Sequence, residues 1–83
     1  MLQKGDLLSF THHPGHTTIV MCRNGSPIVH QEGGSSKFRV EIETIGAALQ
    51  LADIIAASHG MRIEYRKFHD PNVWNFELFP SGE

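Results

Sequence analysis

At 83 residues the chain is long enough for one small core and too short for two domains. Leu, Ile, Val and Phe make up just over a quarter of it, which excludes disorder as the default, and a net charge of −2 without any long Lys/Arg run makes nucleic acid an unexpected partner. The single cysteine, Cys22, allows no internal disulfide, no stretch approaches the roughly 18 apolar residues of a membrane span, and MLQKGDLLSF holds no signal-peptide core, so a cytoplasmic setting is expected.

Alternation of Leu8 and Phe10 with Leu7, Ser9 and Thr11 predicts a strand from Asp6 to Thr11. His12-His13-Pro14-Gly15-His16 reads as a solvated turn, and Thr17 to Arg23 as a second strand rich in β-branched residues. Asn24-Gly25 is the favoured pair of a tight hairpin turn, because both of its central residues need positive φ. The return strand is expected over Ser26 to Gln31, with Arg23 opposite Ser26 and Val20 opposite Val29; His30 then lies beside Ile19, on the face away from His16. Pro27 places the start of that strand on an edge or in the turn.

Gly33 to Ser36 is a connector, after which Phe38, Val40 and Ile42 alternate with Arg39, Glu41 and Glu43 in a half-buried strand. Thr44 caps a helix over Ile45 to His59, and Gly60 supplies its left-handed exit. On that helix Ile45, Ala48, Leu49, Ala52, Ile55 and Ala56 share one stripe, Gly46, Gln50, Asp53 and Ala57 lie opposite, and Ala47, Leu51 and Ile54 widen the apolar surface beyond one face. Met61, Ile63 and Tyr65 mark a further strand with a bulge near Lys67, His69 to Asn72 form a turn, and Trp74, Phe76 and Leu78 mark the last strand before Pro80 frays. The outward charges Glu41, Glu43, Arg62, Glu64 and Arg66 are expected to pair across the sheet, and Trp74, Phe76, Phe79 and Tyr65 to belong to the core. The order ββββαββ with short connections predicts an α+β fold: a twisted, mostly antiparallel sheet of five or six strands covered by one helix.

Three of the six histidines crowd one turn. A metal site needs imidazoles converging at about 2 Å on one ion. His12 and His13 point to opposite faces if the strand continues, so His16 can be joined by one of them, and His13 with His16 is the metal-ligating alternative to a solvated turn. Cys22, mid-strand, reads as a small apolar residue, His59 as a helix-end residue and Asp53 as a solvated charge.

The stretch from Gly5 to Gln31, with GDLLSF, GHTTIV and NGSPIVHQ, resembles the β-hairpin core of NlpC-type papain-like peptidases. That resemblance implies His16 as a catalytic base and His30 as the residue that orients it. The family's nucleophilic cysteine at a helix N-terminus has no counterpart here, since this helix starts at Thr44-Ile45-Gly46.

The leading expectation is a small, non-enzymatic protein-binding module without a cofactor, using the helix flank Gln50, Asp53, Ile54 and Ala57, with pairing of two copies through the helix or an edge strand as a further option. Its size and layout look like those of phage-encoded inhibitors such as anti-CRISPR proteins. The alternatives are a reduced papain-like hydrolase using His16 and His30 and a metal-binding module built on the histidine turn.

Overall fold

The computed structural model describes residues 2–28, 37–67 and 69–82. Among them the elements follow as β1 (Leu7–His13), β2 (His16–Arg23), β3 (Ser26–Pro27), β4 (Lys37–Val40), α1 (Ile45–Ser58), β5 (Met61–Arg66) and β6 (Val73–Pro80). They form the expected α+β architecture. Every strand pairing is antiparallel: β3 and β4 share one edge of β2, followed across the sheet by β1, β6 and β5.

Two tight turns build the first half. Pro14-Gly15 joins β1 to β2 with His13 facing His16; proline presets the first turn angle and Gly15 takes the positive second one at φ 83°. β1 thus reaches two residues, and β2 one residue, further into the histidine cluster than alternation alone indicates. Asn24-Gly25 joins β2 to β3 with φ of 53° and 80°, and Arg23 faces Ser26 as expected.

The expected register holds as far as Ile28, whose N–H donates to the Met21 carbonyl at 2.8 Å, and fails at Val20. Lys37, not Val29, stands opposite Val20, and β4 continues along that edge to the pair Thr17 and Val40. Side-chain chemistry explains the exchange. The expected register sets His30 against Ile19 on the core face, whereas the observed one puts Phe38 there, burying an aromatic ring in place of an imidazole. β3 and β4 are two pieces of one edge, and the rest of the strand expected to Gln31, with His30 and the connector Gly33 to Ser36, lies outside the described residues, as does Phe68 of the expected bulge.

Leu8, Phe10, Ile19, Phe76 and Leu78 are fully buried on the face that α1 covers, with Phe10 and Phe76 meeting edge to face at 5.2 Å. Thr44 caps the helix by accepting the Ala47 N–H at 3.1 Å, and Gly60 leaves it at φ 69°, both as expected. The contact stripe is narrower than expected. Ala48, Ala52 and Ala56 are fully buried, while Ile45 and Leu49 remain 43% and 42% exposed.

Three expectations for the last strands change. Pro80 does not fray but extends β6 opposite Met61; β1 pairs with β6 only from Glu77 to Val73, so the missing N–H of Pro80 removes no bond to β1. Phe79 lies on the uncovered face, beneath the guanidiniums of Arg62 and Arg66 at 4.7 and 5.9 Å, and Tyr65, its ring 5.6 Å from that of Phe76, stays 44% exposed at the margin of the core. β4 ends at Val40, so Glu41 and Glu43 follow it, at the edge of the sheet away from β5; Arg62 pairs with Glu64 at 3.0 Å and Arg66 with Glu77 at 2.8 Å instead.

One ion pair ties the N-terminal turn to the far end of β2. Asp6, 2% exposed, accepts from Arg23 Nε at 2.8 Å and Nη2 at 2.9 Å, and from the Gln3 N–H across a turn that uses Gly5 at φ 88°. The Arg23 guanidinium, helped by the Gln3 N–H, holds the Asp6 carboxyl below its ordinary value of 3.8 against the opposing effect of burial. A depressed folded-state value means that the stabilisation is complete above the unfolded value and disappears as pH falls through the folded one. Asp6→Asn is expected to cost about 2 kcal/mol at neutral pH, a melting-temperature loss of about 8–16 °C. The difference between wild type and variant should shrink as the pH is lowered below 3.8, read by circular dichroism melts from pH 7 to pH 2. Replacing Asn24-Gly25 by Val-Val forces two β-branched residues to positive φ and is expected to destabilise the fold by at least about 1 kcal/mol; an unchanged urea midpoint would contradict the turn.

Candidate functional site

The two candidate surfaces are the histidine end of the β1–β2 hairpin and the outer face of α1. In the hairpin, alternation splits the histidines. His12 follows Leu8 and Phe10 onto the core face, whereas His13 and His16 face each other on the other side.

His12 is part of a buried chain of polar contacts rather than of a solvated turn. Its ring stacks on Trp74 at 5.7 Å, and Nδ1 lies 3.1 Å from Thr17 Oγ1. Thr17 is fully buried and gives its single hydroxyl proton to the Ile42 carbonyl at 2.7 Å. Nδ1 must therefore carry the proton and donate to Thr17, which leaves Nε2 as the basic atom of the neutral ring. This chain fixes β1 and β2 to the loop that leads into α1. Thr17→Val removes the shared hydroxyl and strands both partners, at a cost of about 2 kcal/mol; thermal melts of Thr17→Val and Thr17→Ser should separate the two variants, with serine retaining most of the stability.

His13 and His16 stack at 4.8 Å with ring planes 23° apart. Imidazole lone pairs lie in the ring plane, so two stacked rings direct them side by side rather than toward one ion; shared ligation requires one ring to turn. Among the described residues no three His, Cys, Asp or Glu side chains gather around a common point. Partial burial, together with the charges of Arg39 and His13, holds His16 below its usual value.

His30 lies outside the described residues, so its distance from His16 is not among the observed contacts. Cys22 is six residues along β2 from His16, which is roughly 20 Å in an extended strand. Its thiol points to the Val20 carbonyl at 3.9 Å, and burial pushes its pKa up, the reverse of what activates a nucleophile.

The helix flank is exposed as expected at all four positions, Gln50, Asp53, Ile54 and Ala57. The buried stripe of alanines fixes the orientation of α1. Its outer surface runs from Ile45 and Leu49 on one flank, through Gly46, Gln50, Asp53 and Ala57, to Ile54, which is 66% exposed, on the other. Asp53 is the one charged residue of the helix.

Beside the first turn of α1 opens a cleft of about 540 Å³ lined by Gly15, Glu41, Ile42, Glu43 and Ala47. It was not legible in the sequence, because Gly15 and the Glu41–Glu43 loop become neighbours only through the pairing of β2 with β4. No protein-family model matches the chain, and neither a curated protein nor a solved structure is significantly similar to it.

Proposed function

We propose that the chain is a non-enzymatic protein-binding module whose contact surface is the outer face of α1. The observation that carries this reading is the exposure of Ile45, Leu49 and Ile54 on a 14-residue helix with one charge. A helix that only roofs a sheet normally turns a charged face to water. Here the outward positions hold apolar, small or amide side chains, so covering them removes apolar surface from water at little desolvation cost. Gln50 and Asp53 supply polar contacts between the two apolar flanks, and Gly46 and Ala57 let a partner's backbone approach closely.

The module works in the cytoplasm by occupying a surface of its target, in the manner of small phage-encoded inhibitors such as anti-CRISPR proteins. Binding needs no cofactor. The basis for the inhibitor reading is the size and the one-helix, antiparallel-sheet layout.

Leu49→Ala with Ile54→Ala tests the surface while keeping helix propensity and leaving the buried alanines in place. The double variant is expected to melt within a few degrees of wild type and to lose at least tenfold in affinity for a partner isolated from a native lysate, measured by calorimetry. Undiminished affinity would exclude the outer face of α1 as the contact surface.

A further inference from the structure

The charges around α1 select the kind of segment that fits it, an argument that rests on the protein-binding reading above. From Glu41 to Ser58 the chain carries three ionised side chains, Glu41, Glu43 and Asp53; all three are carboxylates and all are exposed. The same segment holds no Lys or Arg. Among the described strand arginines, Arg39 stands nearest this segment. Arg39 precedes Glu41 by two residues and acts on His16, next to Gly15 of the cleft, whereas Arg62 and Arg66 alternate with Met61, Ile63 and Tyr65 and belong to the opposite face of the sheet.

We infer that the outer face of α1 and the cleft at its N-terminus receive a basic, amphipathic helix of a partner protein. Apolar side chains of that helix, spaced i, i+3, i+4 and i+7, cover Ile45, Leu49 and Ile54, and one Lys or Arg enters the cleft between Glu41 and Glu43. The cleft borders Ala47, two turns before Ile54 on the same side of the helix, so the Ile54 flank and the acidic pocket lie end to end.

Two competing occupants are less well matched. An anion at the helix N-terminus would gain from the dipole, about half a positive charge, but Glu41 and Glu43 outweigh it. A second copy of this chain would bring the same carboxylates to the same interface, with no basic side chain on either helix to meet them.

The test uses the full chain and two designed 18-residue helical peptides with the same leucine spacing, one filled with lysine and the other with glutamate. Binding is followed by amide chemical shifts in ¹H–¹⁵N spectra. The lysine peptide is expected to shift Gly15 and residues 41–58 saturably and to bind at least tenfold more tightly than the glutamate peptide. Glu41→Gln with Glu43→Gln should weaken it at least fivefold, and Leu49→Ala with Ile54→Ala by a similar factor. If both peptides bind α1 equally and only the apolar variant weakens them, the charge selection is wrong and the apolar contact surface stands. If only the charge variant matters, the amphipathic match is wrong. If neither peptide shifts α1, or the lysine peptide settles on the opposite sheet face, this inference and the contact surface beneath it both fall.

Discussion

The seat of α1 on the sheet is made by three alanines, and most of what distinguishes this domain follows from that choice. Ala48, Ala52 and Ala56 recur every fourth residue and are fully buried. Methyl groups at the contact let the helix backbone lie close to the sheet, where Phe10, Phe76 and Leu78 supply the bulk that the helix does not. Beside this stripe Leu51 and Ile55 reach the core only in part. Ile45, Leu49 and Ile54 are directed to the flanks and the outside, and the surface that supports a binding role is a by-product of how the core is filled.

The second dependency is the crowded neighbourhood of β2. That strand pairs with β1 on one side and shares its other edge between β3 and β4. Its two ends are held by polar side chains rather than by further strands. Arg23 grips Asp6 at one end, and Thr17 links His12 to the Ile42 carbonyl at the other. Both contacts involve a nearly inaccessible group whose loss would leave a stranded partner, which makes them costly to break. Their placement also matters for the candidate site. Ile42 belongs to the cleft beside α1, so the Thr17 contact fixes one wall of the cleft from within the sheet.

Much of this architecture could be read from alternation and turn chemistry. Asn24-Gly25, Thr44 and Gly60 have local conformational preferences strong enough to be decisive without tertiary context, and all three hold the positions expected of them. The four flank residues of α1 were likewise legible, because helical spacing alone separates Gln50, Asp53, Ile54 and Ala57 from the alanine stripe. Alternation, however, assigns a face and not a neighbour. It could not say that Lys37 rather than Val29 meets Val20, nor that β4 ends at Val40 and leaves Glu41 and Glu43 at the edge of the sheet away from β5. His12 did leave a signal. It continues the two-residue period of Leu8 and Phe10, and the run of histidines obscured that continuity by looking like a turn.

The stacking of His12 on Trp74 has an optical consequence. Trp74 is the only tryptophan of the chain, and it is half-buried at the end of the sheet where His12, Thr17 and Ile42 join. The protein therefore carries an intrinsic fluorophore in ring contact with His12, so the emission of unlabelled material reports how that corner of the sheet is packed. The same emission also senses any ligand that disturbs the anchor of the loop leading into α1.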